Sequence, residues 1–305
     1  MKHFLDINEV PKSELRHILN EAKRMKSERK GFTKGAIDFG APLSGHILAM
    51  IFEKSSTRTR VSFDVGMRQL GGSALILDAS SSQLGRGETI GDTAQVLSRM
   101  VDAIMFRANS HEALLELAKW SSVPVINGLT DKSHPCQILA DLQTLEECGL
   151  NLKGSRIAWV GDGNNVLTSF MEAAIAFDFE IIAACPHGYK PDIKTVWELQ
   201  SKGGKITIVD DPNEAAKGAD CLVTDTWVSM GDTNISERMQ ALGPYQVNED
   251  LMAKTNDAIF LHCLPAHREE EVSSAVIDGP SSKVFDEAEN RIHAQKAVLR
   301  WCLDK

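Results

Sequence analysis

Short apolar runs alternate along the whole chain with stretches of helical period. The strand candidates in the first half are Ile47–Phe52 and residues 74–77, 103–106 and 123–126. In the second half they are Arg156–Val160, residues 181–184 and 206–209, Cys221–Thr224 and residues 258–261. Each is apolar at successive rather than alternate positions, and each is followed by a turn or a polar segment. That pattern predicts buried parallel strands joined by helical crossovers. One doubly wound sheet of nine strands is possible, but two smaller α/β domains suit a chain of 305 residues better. After the first run, Phe63, Met67 and Leu70 fall at i, i+4 and i+7, which predicts a helix with one apolar face. Residues 138–145 are also helical in period, with Gly149 placed to end the segment, and residues 288–303 read as a last helix.

Ligands of parallel sheets collect outside the carboxyl ends of the strands. Ser56, Arg107, His134, Asn165, Asp225 and Cys263 all lie at such an end or within a few residues of one. The richest of these ends is Ser55-Ser56-Thr57-Arg58-Thr59-Arg60, between a strand and a helix. Free N–H groups and the helix dipole favour negative charge there, and Arg58 adds a planar fork suited to phosphate. An ordinary N-cap at Ser55 or Ser56 followed by solvated arginines fits the same residues.

Net charge is −9, which disfavours a nucleic-acid or anionic-membrane surface. A phosphorylated ligand would then need positive charge gathered locally, with Arg58, Arg60, Arg107 and Arg291 as candidates. The six cysteines form no CxxC pair, so neither a zinc cluster nor a thioredoxin-type motif is suggested. Met1-Lys2-His3-Phe4 opens no apolar signal region and no run approaches membrane-spanning length, so a cytoplasmic protein is expected.

Four further segments join the Ser56-Thr57-Arg58-Thr59 motif. They are His134-Pro135-Cys136-Gln137, Asp225-Thr226-Trp227-Val228-Ser229-Met230-Gly231, His262-Cys263-Leu264-Pro265 and Glu287-Ala288-Glu289-Asn290-Arg291. In this order and spacing the chain resembles the ornithine carbamoyltransferases of the aspartate/ornithine transcarbamylase family, over essentially its full length. The segment ending in Ser229-Met230-Gly231 resembles the ornithine enzymes in particular.

The resemblance implies two doubly wound parallel-sheet domains joined by bridging helices, with the active site in the interdomain cleft. Residues 1–133 would bind carbamoyl phosphate, 134–149 would form a linker helix and 150–287 would bind ornithine. The C-terminal helix, 288–305, would pack back on the first domain. The implied reaction moves a carbamoyl group from carbamoyl phosphate to the side-chain amine of L-ornithine, giving L-citrulline and phosphate in arginine metabolism. No metal and no organic cofactor would take part, and a homotrimer or a multiple of trimers is implied.

By the same resemblance, Ser56, Thr57, Arg58 and Thr59 cradle the phosphate, and Arg107 is shared between phosphate and carbonyl oxygen. His134 donates to that oxygen, and Gln137 accepts from the carbamoyl NH2 together with the backbone carbonyls of Cys263 and Leu264. Arg291 closes on the ligand, and Gln83 reaches an active site across a subunit boundary. Asn165, Asp225, Ser229 and Met230 take the amino-acid end of ornithine. No role is carried onto His267 or Arg268.

Gly161-Asp162-Gly163-Asn164-Asn165 invites a dinucleotide reading, but Val166 stands where a third glycine is needed. The following strand also ends without an acid for the ribose, so NAD is disfavoured. A sister transcarbamylase acting on aspartate, putrescine or an acylated ornithine is the nearest alternative. A non-catalytic transcarbamylase-like binding protein is another.

Overall fold

Nine parallel strands are seen among the described residues, and they divide between two sheets rather than forming one. The structure is a computed structural model that describes residues 1–78, 87–228 and 233–305. Gln83, Ser229 and Met230 therefore lie outside the described residues. Chain contacts divide the protein into one unit of Met1–Gln143 with Glu289–Lys305 and a second of Thr144–Ala288.

The first unit holds β1 (Ile47–Phe52), β2 (Ser73–Asp78), β3 (Ala103–Arg107) and β4 (Val125–Leu129) in the order β2-β1-β3-β4. Its helices are α1 (Lys12–Glu28), α2 (Thr57–Gln69), α3 (Ile90–Leu97) and α4 (His111–Trp120), followed by α5 (Pro135–Glu147). The predicted face of α2 is buried: Phe63, Met67 and Leu70 are each at most 1% exposed. Ala49, Ile51, Ile104 and Phe106 of the central strands pack in a core with Leu114 and Leu117 of α4.

The second unit orders β5 (Arg156–Val160), β6 (Glu180–Ala184), β7 (Lys205–Val209), β8 (Cys221–Thr224) and β9 (Ile259–His262) as β7-β6-β5-β8-β9. The helices here begin with α6 (Asn165–Phe177), α7 (Ile193–Ser201), α8 (Pro212–Ala216) and α9 (Ile235–Leu242). The short α10 (Glu249–Met252) and α11 (Ser274–Ile277) follow, and α12 (Val284–Cys302) ends the chain's helices. The boundary between the units falls inside α5 and inside α12.

Two expectations shift. The run at 123–126 becomes a strand at Val125–Leu129, because Asn127 pairs with Phe106 and the N-terminal segment bridges Ile126 through Phe4. Helix α5 begins at Pro135, ahead of the periodic stretch 138–145; proline lacks only an N–H that the first helical position would not use. Burial of every strand on both faces also fails. Leu75 and Ile76 of β2 are 50% and 45% exposed, since β2 lies at the sheet edge. Of the other edge strands, β7 exposes Lys205 and Thr207, whereas β4 and β9 are mostly buried.

Candidate active site

Strand order decides where each sheet can hold a ligand. In the first unit the chain turns from β1 to one side and to the other, so the crevice between the carboxyl ends of β1 and β3 is the topological switch point. Ser56–Thr59 follow β1, and Arg107 ends β3. The corresponding crevice of the second sheet lies between β5 and β8, and its residues are Asn164, Asn165 and Asp225.

At the first crevice Ser56 is the N-cap of α2, its Oγ accepting from the Thr59 N–H at 3.2 Å. The cap satisfies the Thr59 N–H, while the N–H groups of Thr57 and Arg58 have no partner within the helix. Thr59 is buried, and its hydroxyl joins two arginines: Arg291 Nη2 donates to it at 3.1 Å and Arg107 Nη1 at 3.5 Å. Arg291 comes from α12 and also donates from Nη1 to Gln137 Oε1 at 2.7 Å. Gln137 in turn donates from Nε2 to Asp141 Oδ1 at 2.7 Å, which fixes its amide.

His134 precedes Pro135 and is 3% exposed. Burial first, and then the charges of Arg291, Arg107 and Arg58, push its imidazole pKa well below the usual range. It is neutral at pH 7, with one N–H to donate. Arg58 is half-buried and Thr57 exposed at the mouth of this arrangement. Arg60 departs from the expected cluster: it pairs with Asp78 and lies 4.7 Å from the Phe52 ring centroid.

In the second unit, Asp225 is 7% exposed and accepts three hydrogen bonds. Asn164 Nδ2 donates at 2.7 Å, the Thr226 N–H at 2.8 Å and the Cys263 thiol at 2.9 Å. A carboxylate has about four acceptor directions, so one remains for a ligand cation. Asn164 caps α6, accepting from the N–H groups of Val166 and Leu167, and Asn165 is the first residue of that helix. Sequence reading missed Asn164, although an asparagine just before a helical run is itself a cap signal. The glycines ahead of it have packing roles. Gly161 has φ of +130°, and a Cβ on Gly163 would come within 2.3 Å of the Pro191 nitrogen.

Leu264 adopts φ of 57°, unusual for a branched side chain, and its N–H donates to His262 Nδ1 at 2.9 Å. Asp225, His262 and Cys263 bring ligand-type atoms within 4.8 Å of one another. Here those groups bond each other and the backbone. Arg238 was also absent from the sequence reading. It donates to the Trp227 carbonyl at 2.8 Å and pairs with Asp162 at 2.5 Å, tying the segment after β8 to the turn after β5.

The fold and these crevices define a two-unit parallel α/β protein. One unit gathers arginines at its switch point, and the other centres a buried carboxylate there. Residues 2–147 match the profile of the aspartate/ornithine carbamoyltransferase carbamoyl-P binding domain, and residues 153–302 match that of the Asp/Orn binding domain. The chain belongs to the aspartate/ornithine carbamoyltransferase family. It is 56% identical to the ornithine carbamoyltransferase of Rhizorhabdus wittichii, over 100% of this chain and 99% of that protein. Identity to the ornithine carbamoyltransferase of Rhodopseudomonas palustris is 59%, over 99% and 96%. Among solved structures, the Pyrococcus furiosus ornithine carbamoyltransferase superposes with a TM-score of 0.91 at 48% identity, covering 98% of this chain and 96% of that one. The anabolic enzyme of Campylobacter jejuni does so with a TM-score of 0.91 at 40% identity, covering 100% and 99%.

Proposed function

We propose that this protein is an ornithine carbamoyltransferase. It takes the carbamoyl group of carbamoyl phosphate to the side-chain amine of L-ornithine and releases L-citrulline and phosphate, as a step of arginine biosynthesis. The observation that carries this reading is the meeting of Arg107 and Arg291 on the Thr59 hydroxyl at the start of α2, with the charge of both and of Arg58 holding the buried His134 neutral. A dianionic phosphate and a developing oxyanion need such a set of fixed donors.

In this reading the first-turn N–H groups of α2 and the Thr57 hydroxyl hold the phosphate, with Ser56 and Thr59 shaping the turn. Arg58 and Arg107 neutralise its charge. His134 donates to the carbonyl oxygen, and Gln137 Oε1 accepts from the carbamoyl NH2, with Arg291 holding its amide. The carbonyls of Cys263 and Leu264 are further acceptors for that NH2. Asp225 takes the α-ammonium of ornithine, and Asn165, Ser229 and Met230 complete the recognition of its amino-acid end.

The amine nitrogen attacks the carbamoyl carbon, the bond from that carbon to the phosphate oxygen breaks, and the amine's proton leaves with phosphate. The amine must first be neutral. With a lysine-like pKa, that costs roughly 4.6 kcal/mol at pH 7, about 3.4 units at about 1.36 kcal/mol each. Purified protein is expected to form citrulline from carbamoyl phosphate and L-ornithine without added divalent ion. Aspartate, putrescine and N-acetylornithine serve as competing acceptors in the same colorimetric assay. Faster turnover of any of them, or strict dependence on a divalent ion, would overturn the assignment.

The assembly proposed is a homotrimer or a multiple of trimers, with Gln83 serving a neighbouring subunit's site. Support comes from the half-exposed Leu75 and Ile76 on β2, the strand that leads towards Gln83. Sedimentation equilibrium is expected to give a multiple of three 33.5 kDa chains. A fully active monomer would remove any role for Gln83. Among the described residues no helix is long and apolar enough to cross a membrane, and the cytoplasm is the proposed location.

A further inference from the structure

The turn that carries His134 is fixed from behind by a carboxylate far from it in sequence. Asp6, in the N-terminal segment, is 1% exposed. Its Oδ1 accepts from the Ser133 hydroxyl; its Oδ2 accepts from Lys132 Nζ at 3.2 Å and lies 3.3 Å from His111 Nε2. Ser133 is fully buried, and its hydroxyl also accepts from Asn127 Nδ2 at 3.0 Å. The Ser133 backbone is held as well: its N–H donates to the Thr130 hydroxyl at 3.2 Å, and its carbonyl accepts from the Thr130 N–H at 2.9 Å. The segment bearing Asp6 is itself anchored on β4. Phe4 N–H donates to the Val125 carbonyl at 2.9 Å, and the Phe4 carbonyl accepts from the Asn127 N–H at 2.8 Å.

Burying a carboxylate costs several kcal/mol before its partners offset it, and an apolar side chain could fill the same space. A carboxylate differs in being directional, because each oxygen specifies where a donor must sit. With Ser133 immobilised on one side and Pro135 opening α5 on the other, His134 has little backbone freedom left. We infer that Asp6 is a positioning residue for the transfer reaction, acting through Ser133 to aim the His134 imidazole at the carbonyl oxygen. The inference rests on His134 being the donor to that oxygen.

The test is a double-mutant cycle read by steady-state kinetics. Asn at position 6 keeps the shape of Asp6 and an acceptor for Ser133. It turns an amide NH2 towards the donors Lys132 and His111, so the side chain must move. Asp6→Asn is expected to lower kcat about 10- to 100-fold, the loss typical of a catalytic group displaced by about 1 Å, with KM for carbamoyl phosphate within about threefold of the parent. Ser133→Ala breaks the link while leaving Asp6 its other partners. It is expected to behave alike, and it decides the matter if Asp6→Asn fails to fold.

In a His134→Asn background, either change is expected to cost less than about threefold more, since the group being aimed is gone. Equal losses in both backgrounds would mean a general packing role and would overturn the inference, as would folded variants with parental kcat. A His134→Asn enzyme with parental kcat would instead refute the role given to His134.

Discussion

Glycine in place of Arg58 is expected to lower kcat by about a thousandfold, the upper range for removing one donor from a developing anion. The stability cost is expected to be small. Arg58 is half-buried in the first turn of α2, outside the core formed by Phe63, Met67 and Leu70. Glycine in a helix costs about 1 kcal/mol, which lowers Tm by about 3 °C in a protein of this size. The catalytic loss is large because charge moves in the reaction: the carbonyl oxygen gains negative charge as nitrogen attacks, and the leaving phosphate gains more as its bond to carbon breaks. The charge of Arg58 is among those that disfavour imidazolium at His134. Neutral His134 and Gln137 cannot replace a missing positive charge. KM for carbamoyl phosphate should also rise, because the ground-state phosphate is bound by the same fork. A folded variant with turnover within about threefold of the parent would show that the segment is a helix cap and nothing more.

Asp225→Ala is expected to cut kcat/KM for ornithine about a hundred- to a thousandfold while KM for carbamoyl phosphate stays near its parental value. Hydrogen bonds to charged groups are worth about 1.5–3 kcal/mol, and a buried donor left without its acceptor costs about 1–3 kcal/mol. Asp225 accepts from Asn164, the Thr226 N–H and the Cys263 thiol, so alanine loses the ammonium partner and disturbs its surroundings together. The kinetic effect should fall chiefly on the amino acid, because the arginines, His134 and Gln137 are held within the other unit. A matching rise in KM for carbamoyl phosphate would show that Asp225 supports the fold generally. An acceptor that keeps the carboxylate but lacks the α-ammonium, 5-aminopentanoate, offers an internal control: its turnover should be affected far less than that of ornithine.

Local features of both units were legible without coordinates. An apolar run that turns polar marks the carboxyl end of a parallel strand, and those ends were correctly placed after Phe52, Phe106, Val160 and Thr224 to within a residue. The face of α2 followed from spacing alone, because helical periodicity is a property of neighbours in sequence. Missed features depended on neighbours in space. The exposure of Leu75 and Ile76 could not be read from an apolar run, since it reflects where β2 falls in the sheet. The bond from Asn164 to Asp225, 61 positions apart, likewise depends on β5 and β8 lying side by side.

Sequence by itself determined the alternation of strands and helices and the chemistry available at each strand end. Those properties arise from side-chain type and local period. Tertiary structure alone decided which strand ends matter, because parallel neighbours are joined by crossovers and nothing in a strand states who lies beside it. The orders β2-β1-β3-β4 and β7-β6-β5-β8-β9 turn two ends in each sheet into a crevice. Tertiary structure also set Arg291 beside Thr59 across 232 positions of chain, and Asp6 beside Ser133 across 127. Such pairs follow from burial: a charged or polar group taken out of water must find its partner wherever the fold brings one.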